Sequence, residues 1–225
     1  MGSELPSALR GLYAATPEMA DTAELCKRVE AAIQGGAALV QYRAKDASPQ
    51  LRLEQASRLS DLCKAHHVPL IINDSVELAL AVDAAGVHVG RDDGDAAVAR
   101  RAMPRGLVGV SCYGDLTRAR AARDAGADYI GIGSMFASTT KPHAMPASLE
   151  LLARAREASG LPVAAIGGIT LATAPRVVAA GADMIAVISA LFDADDVSSA
   201  ARGFARLFAT QPSGTQNVRT QPRPF

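Results

Sequence analysis

The feature that most restricts the fold of this chain is a regular alternation of short apolar runs with longer, helix-like segments. The apolar runs are rich in Val and Ile and contain few polar residues, which is typical of strands that are buried on both faces. Eight such runs occur in the 225 residues, and they begin at Gly11, Leu39, Pro69, Gly86, Leu107, Asp128, Pro162 and Asp183.

Helices are predicted between these runs, over Ala20–Gln34, Pro49–His66 and Leu116–Ala125 among others. The first has apolar residues at helical spacing, at Leu25, Val29, Ala32 and Ile33. Four segments, QGGAALV, AAGVHV, DAGADYI and AAGADMI, place a glycine where a helix ends and a strand begins. Glycine can adopt the left-handed conformation that closes a helix. These serial strand–helix units predict an α/β fold, a single-domain TIM (β/α)₈ barrel over residues 1–209.

An open, doubly wound sheet is the alternative fold for the same alternation. No GxGxxG sequence follows the first strand, which argues against a dinucleotide-binding version of that sheet. Residues 210–225 are polar and Pro-rich, and we expect them to form a disordered tail outside the barrel.

The composition restricts the partners, because 23 Lys and Arg balance 23 Asp and Glu. Such a balance indicates neither a nucleic-acid nor a membrane partner, so any anion site must be local. The N-terminus lacks the pattern of a secretory signal, and the three cysteines have no CxxC spacing. We therefore expect a cytoplasmic protein with reduced thiols. The oligomeric state stays open, a homo-oligomer included.

Polar residues cluster where the second strand ends. Side chains of a strand alternate between its faces, so Gln41, Arg43 and Lys45 share one face. Two cations and an amide that point into a barrel mouth suit a polyanion such as a diphosphate. The alternative is a solvated strand end whose charges are incidental.

Carboxylates follow the next two strands, at Asp74 after Asn73 and at Asp93. Mg²⁺ binds one or two carboxylates together with substrate phosphates, so Asp74 and Asp93 are candidate Mg²⁺ ligands. Alternatively, Asp74 caps a helix that begins near Ser75, and Asp93 belongs to an Asp-Asp-Gly turn.

The later strands end in small and hydroxyl residues. Ser111 closes the fifth strand, and GIGSM, the end of the sixth, is followed by FASTTK. Strand seven ends in Gly167-Gly168 and strand eight in Ile188-Ser189, where such barrels often bind phosphate, although a tight turn also explains the glycines. Two anion sites on one face imply two phosphorylated substrates. His88 is expected to be structural, and His143 is a candidate general acid or base.

In order and spacing, these motifs resemble the thiamine-phosphate synthase family from about Gly11 to Phe208. The resemblance is carried by VQYRAKD, LIINDSVELALAVDAAGVHVGRDD, GVSCY, ADYIGIGSMFASTTK, AIGGI and GADMIAVISAL. It implies a TIM barrel that joins a pyrimidine carrying a CH₂-diphosphate to a thiazole carrying a phosphate. The products are thiamine phosphate and pyrophosphate, and the cofactor is Mg²⁺.

The resemblance also implies roles for individual residues. Asp74 and Asp93 would hold Mg²⁺, and Arg43, Lys45, Ser111 and Lys141 would act on the departing pyrophosphate. The pyrimidine diphosphate would be bound by these last four residues and also by Gln41, Tyr42, Ala44 and Asn73. The thiazole phosphate would be bound by Ser138, Thr139, Thr140, Gly168, Ile188 and Ser189.

Two positions depart from the family pattern. Ala44 stands where glutamate is frequent, but it lies on the opposite face of the strand from Arg43 and Lys45, so we expect little effect on the diphosphate site. Ser138 stands where threonine is common, and it keeps the hydroxyl. The rival functions are a thiazole tautomerase, which needs no Mg²⁺ pair or diphosphate site, and a non-catalytic sensor of phosphorylated ligands.

Overall fold

The structure is a computed structural model that describes residues 9–91, 94–137 and 147–209. In these residues eight parallel strands form a closed barrel in sequence order. They are β1 Gly11–Ala15, β2 Ala37–Tyr42, β3 Leu70–Asn73, β4 Gly86–Val89, β5 Leu107–Tyr113, β6 Tyr129–Ile132, β7 Val163–Ile166 and β8 Met184–Val187. The barrel closes through parallel pairing of β8 with β1. The predicted (β/α)₈ barrel is therefore confirmed, and the open-sheet alternative is wrong.

Helices surround the barrel. They are α1 Thr22–Gln34, α2 Pro49–Ala65, α3 Val76–Ala81, α4 Ala96–Ala102, α5 Leu116–Asp124, α6 Glu150–Ser159, α7 Ala174–Ala179, α8 Ser189–Phe192 and α9 Val197–Ala209. The predicted second and fifth helices end within one residue of α2 and α5. Helix α1 begins two residues later than predicted because Asp21 is its N-cap, accepting a hydrogen bond from the backbone N–H of Glu24.

Several strands end earlier than the sequence pattern predicts, β6 and β8 among them. The sixth strand was predicted to end in GIGSM, at Met135, but β6 ends at Ile132. The backbone N–H groups of Met135 and Phe136 still donate to carbonyls at the end of β7, at 2.9 and 3.0 Å. Strand β8 ends at Val187, because Ser189 already belongs to helix α8.

The glycines between helices and strands behave as predicted in three of the four repeated segments. The left-handed conformation, with φ between 85° and 101°, is found at Gly36, Gly126 and Gly181. At the remaining segment, AAGVHV, the positive φ belongs instead to Asp83, which directly precedes it. Gly86 is needed there for space, because a Cβ at this position would collide with the backbone of Leu107 on β5.

Two of these segments also carry an aspartate that links neighbouring strands at the amino ends of the barrel. Asp128 accepts a hydrogen bond from the backbone N–H of Val108 at 2.7 Å and pairs with Arg100. Asp183 repeats the arrangement, accepting from the first residue of β7 at 2.8 Å and pairing with Arg156. These charge-assisted bonds stabilise the end of the barrel opposite the cavity described below.

Apolar side chains form two separate clusters. The larger one fills the layer between the barrel and its helices. The smaller one fills the barrel interior and consists of Tyr13, Leu39, Ile71, Leu107, Tyr129, Ala164, Met184 and Ala186. Among the described residues, no helix has the length and apolar character that a membrane crossing requires.

Candidate active site

A cavity of about 1130 Å³ opens at the carboxyl ends of the strands. All eight strands contribute lining residues, so the cavity lies over the centre of the barrel. Active sites of (β/α)₈ barrels are found at this end. Typical ligand pockets measure about 300–1,000 Å³, so this cavity has room for two small substrates side by side.

One wall of the cavity, here called the cationic wall, consists of Gln41, Arg43, Lys45 and Asn73. The strand alternation predicted that Gln41, Arg43 and Lys45 share one face, and all three line the cavity. Gln41 is buried and the Arg43 side chain is 21% exposed, which disfavours a solvated strand end for these two, whereas the Lys45 side chain is 51% exposed.

The side chains of Tyr42 and Ala44 lie on the other face of β2 and do not join the cationic wall. The Tyr42 hydroxyl donates a hydrogen bond to Gln55 on α2 at 2.8 Å. Ala44 packs against the cluster outside the barrel, on the face that the alternation predicted for it. Any contact between these two residues and a substrate would therefore have to come from their backbone.

The loop after β1 holds the end of the cationic wall in place. The Thr16 hydroxyl accepts a hydrogen bond from the backbone N–H of Arg43 at 2.9 Å. Glu18 accepts from the backbone N–H of Lys45 at 2.6 Å, and its carboxylate lies 3.6 Å from the Arg43 guanidinium. Sequence reasoning missed both residues, because a loop carries no periodicity that shows which strand it contacts.

Asp74 faces the cationic wall from the end of β3. Its Oδ2 lies 3.3 Å from the Lys45 Nζ and accepts a hydrogen bond from the Asn73 amide. The helix-cap alternative for Asp74 is wrong, because the Ser75 side chain caps α3 by accepting from the backbone N–H of Leu78. Asp74 itself has the left-handed φ of 65°, a conformation that Asp and Asn tolerate better than most residues.

In the ranges that the structure describes, no group of three or more His, Cys, Asp or Glu side chains could hold a metal ion. The three cysteines are free and take no part in the site. Asp74 could therefore bind a metal only together with ligand oxygens or with a side chain outside these ranges, such as that of Asp93.

A buried hydrogen-bond network crosses the floor of the cavity. Gln41 Nε2 lies 2.7 Å from the Tyr13 hydroxyl, which lies 2.7 Å from the Tyr129 hydroxyl. The Tyr129 hydroxyl lies 3.2 Å from His88 Nδ1, and His88 Nε2 lies 2.8 Å from the Ser111 hydroxyl. Burial lowers the pKa of His88 to about 4, so its ring is neutral at neutral pH.

This network agrees with the expected structural role of His88 and also brings the ring to the cavity. The sequence showed no partner for this histidine, but the structure gives it two partners and places it in the cavity lining. Tyr13 and Tyr129 were not singled out, because a tyrosine in an apolar strand resembles any other core residue. Strand alternation is the one sequence pattern that could have identified the network, because its members all occupy inward positions of their strands. They are Tyr13, Gln41, His88, Ser111 and Tyr129.

A second part of the cavity lining, here called the glycine wall, consists of Gly167, Gly168, Ile188 and Ser189. Gly168 has a φ of 60°, and a Cβ there would collide with the backbone of Phe136 and Ala137. The glycine is therefore required by a close backbone approach as well as by its turn. Backbone N–H groups accessible in such a wall can bind phosphate oxygens.

Several predicted site residues lie outside the described ranges, namely Asp93, Ser138, Thr139, Thr140, Lys141 and His143. Ala137 and Ala147, which flank residues 138–146 on either side, both line the cavity. The backbone N–H of Ala147 donates to the Ser134 carbonyl at 2.7 Å. The described residues on both sides of this segment thus lie at the cavity. The sequence predicted the same location for the polar residues between them.

The closed barrel and the polar cavity at its carboxyl end define the class of this protein, a (β/α)₈-barrel enzyme. The family model described as thiamine monophosphate synthase matches residues 12–191. The chain therefore belongs to the thiamine monophosphate synthase family, as its motifs indicated, and it is a transferase.

Individual relatives agree with this assignment over nearly the whole chain. The thiamine-phosphate synthase of Aromatoleum aromaticum is 51% identical over 201 residues, covering 89% of this chain and 97% of the relative. That of an Azoarcus species is 52% identical, covering 89% and 98%. The solved structure of thiamine phosphate pyrophosphorylase from Pyrococcus furiosus is 35% identical, with a TM-score of 0.79, and the match covers 89% of this chain and 96% of that one.

Proposed function

We propose that this enzyme condenses 4-amino-2-methyl-5-(diphosphooxymethyl)pyrimidine with 4-methyl-5-(2-phosphooxyethyl)thiazole, giving thiamine phosphate and pyrophosphate in a Mg²⁺-dependent reaction. The observation that carries the proposal is the convergence of Gln41, Arg43, Lys45 and Asn73 on one wall of a cavity large enough for two ligands. Membership of the family supports the choice of substrates.

The charge of the cavity supports an anionic ligand. Three cationic side chains, Arg43, Lys45 and Arg91, line it, and among its described lining residues Asp74 is the only carboxylate. Arg43 and Lys45 can form charge-assisted hydrogen bonds with phosphate oxygens. The diphosphate of the pyrimidine is therefore assigned to the cationic wall.

The residues present fit Mg²⁺ better than a metal that needs a full set of protein ligands. Mg²⁺ is usually held by one or two carboxylates plus substrate phosphates, and Asp74 lies beside the wall that would receive the diphosphate. A lone carboxylate would repel a bare polyanion, but it becomes a ligand when the metal arrives with the diphosphate. Asp74 and Asp93 are the proposed ligands, and Mg²⁺ would supply positive charge to the leaving group.

The chemistry requires charge stabilisation rather than a strong base. The C–O bond between the pyrimidine methylene and the diphosphate breaks, and its electron pair leaves with pyrophosphate. The pyrimidine ring stabilises the resulting carbocation, and the thiazole nitrogen lone pair forms the new C–N bond. Arg43, Lys45, Ser111 and Lys141 are proposed to stabilise the charge that develops on the leaving oxygens.

The second substrate is assigned to the glycine wall. We propose that its phosphate binds to Gly168, Ile188 and Ser189, together with Ser138, Thr139 and Thr140 of the neighbouring segment. The two anions would then lie at different walls of the cavity, with the reacting methylene and nitrogen between them.

An assay of purified protein tests the proposal. With both substrates and Mg²⁺ we expect equal amounts of thiamine phosphate and pyrophosphate, and none when either substrate or Mg²⁺ is omitted. Absence of product under the complete conditions would refute the synthase, and isomerisation of the thiazole precursor alone would indicate the tautomerase.

A matched pair of lysine variants tests the cationic wall. Lys45→Met should lower kcat/KM by about 100-fold or more, because a charged contact to the leaving group is lost. Lys27→Met is the control, since Lys27 lies on the surface of α1 and pairs only with Glu24 among the described residues. Equal rates for Lys45→Met and Lys27→Met would contradict the assignment of the diphosphate to this wall.

A further inference from the structure

The buried network on the cavity floor connects Gln41 on β2 with Ser111 on β5 through three aromatic rings. It runs from Gln41 through Tyr13, Tyr129 and His88 to Ser111, with each link between 2.7 and 3.2 Å. Tyr13, Tyr129 and the His88 ring are almost completely buried. No other described side chain contributes a hydrogen bond to the two tyrosine hydroxyls or the His88 ring nitrogens.

Two glycines of the barrel leave the space that these rings occupy. A Cβ at Gly109 on β5 would collide with both the Tyr129 ring and the His88 ring. A Cβ at Gly131 on β6 would lie only 3.2 Å from the His88 ring. The Tyr13 and Tyr129 rings pack edge to face with centroids 5.9 Å apart. The rings are therefore fixed by packing, and the hydrogen-bond distances follow from that packing.

The direction of the hydrogen bonds follows from the first donor. The Gln41 amide nitrogen can only donate, so the Tyr13 oxygen accepts from it and directs its own hydrogen to Tyr129. The buried Tyr129 hydrogen then needs an acceptor of its own, and His88 Nδ1 is the one that the described network offers. A neutral imidazole that accepts at Nδ1 carries its hydrogen on Nε2, and it donates that hydrogen to the Ser111 oxygen.

We propose that this directed network turns the Ser111 hydroxyl hydrogen into the cavity, so that Ser111 serves as a donor to the anionic ligand. Tyr13, Tyr129 and His88 are accordingly positioning residues, since they act through Ser111 and Gln41. The inference rests on the proposed function only for the identity of the anion.

The charge of the cavity supports this direction over the reverse one. If the Gln41 amide were turned around, each hydrogen bond would reverse, and the Ser111 hydrogen would point back at His88. Ser111 would then present lone pairs to a cavity lined by Arg43 and Lys45, where the ligand is an anion that needs donors. When the hydrogen bonds run from Gln41 to Ser111, each link has a donor and an acceptor, and Ser111 offers its hydrogen to the anionic ligand.

The first test measures the protonation of the His88 ring nitrogens in the unmodified protein. Nitrogen-15 NMR at neutral pH distinguishes a protonated from an unprotonated ring nitrogen, and variants of the other three histidines assign the His88 signals. We expect hydrogen on Nε2 and none on Nδ1. Hydrogen on Nδ1, with or without a second one on Nε2, would overturn the proposal.

The second test removes one link of the network. Tyr129→Phe keeps the ring but deletes the hydroxyl, and we expect a mixture of His88 tautomers and about tenfold weaker binding of inorganic pyrophosphate with Mg²⁺. Ser60→Ala is the matched control, because Ser60 is a buried hydroxyl that donates to the Val82 carbonyl, far from the cavity. It should change neither readout.

A double-mutant cycle shows whether Tyr129 acts through Ser111. In a Ser111→Ala background, Tyr129→Phe should weaken pyrophosphate binding by less than a further twofold. A full tenfold loss in that background would overturn the proposed pathway. Because tautomer and pyrophosphate binding are measured without turnover, they separate a failure of this inference from a failure of the proposed synthase reaction.

Discussion

Gly109 should be one of the least replaceable residues of the barrel, because two buried rings occupy the space of a side chain there. In Gly109→Ala the new Cβ would lie closer than 3.0 Å to atoms of both Tyr129 and His88. The nearest atoms, at 2.2 Å on Tyr129 and 2.4 Å on His88, would have to retreat by about 1.2 and 1.0 Å to reach the 3.4 Å of an ordinary contact. Tyr129 is fully buried, so it has no free space to move into.

The cost can be worked out from these contacts. Overpacking a core costs about 1–3 kcal/mol. A shifted Tyr129 would also weaken its two buried hydrogen bonds, at 2.7 Å to Tyr13 and 3.2 Å to His88, each worth about 1 kcal/mol. Alanine restricts the unfolded chain more than glycine does, which returns roughly 0.5–1 kcal/mol. We expect Gly109→Ala to lower the free energy of unfolding by about 2–4 kcal/mol, a large share of the roughly 5–15 kcal/mol of a typical domain.

Urea unfolding followed by circular dichroism measures this difference, with Gly114→Ala as the control. A Cβ at Gly114 meets nothing closer than Leu151 at 3.5 Å, so this variant should be as stable as the parent or slightly more stable. If the free energies of unfolding of Gly109→Ala and Gly114→Ala agreed within 1 kcal/mol, the packing argument for the ring network would be refuted.

Three further predictions concern the metal, the barrel end and the thiols. Asp74→Asn keeps a side chain that tolerates the left-handed φ, so the protein should stay folded while the Mg²⁺ concentration for half-maximal activity rises at least tenfold; an unchanged Mg²⁺ titration would exclude Asp74 as a ligand. Asp128→Asn should cost about 1–3 kcal/mol in thermal or urea unfolding without changing KM, because it weakens a charge-assisted bond remote from the cavity; a change in KM with unaltered stability would contradict this. Burial raises the pKa of both Cys63 and Cys112 to about 12, so a thiol reagent should label them at neutral pH only after unfolding; rapid labelling of the native protein at either thiol would contradict their burial.

Much of the fold could be predicted because barrel strands are short, apolar and evenly spaced. All eight strands lie where the apolar runs predicted them, and Gln41, Arg43 and Lys45 share the predicted face. The ends of β6 and β8 were less predictable. The apolar run continues past Ile132 along the edge of β7, and sequence alone does not distinguish a strand from such an extended segment.

The site was less predictable wherever a contact joins residues far apart in the chain. His88 has no partner within its own motif, because its partners lie 23 and 41 residues away, on β5 and β6. Glu18 reaches Arg43 from the loop of another strand. Asp74 could equally have been a helix cap on local sequence, and only the structure shows that Ser75 fills that position. Such side-chain partners depend on barrel closure, which periodicity predicts only in outline.

The central claim is that one cavity binds two phosphorylated substrates on separate walls, and a ligand-bound structure tests it most directly. The crystals would contain Mg²⁺, the thiazole phosphate and an unreactive analogue of the pyrimidine diphosphate. We expect the diphosphate to contact Arg43 and Lys45, with Mg²⁺ at Asp74. The thiazole phosphate should bind at Gly168 and Ser189. Both ligands on the same wall, or a diphosphate bound away from Arg43 and Lys45, would contradict it.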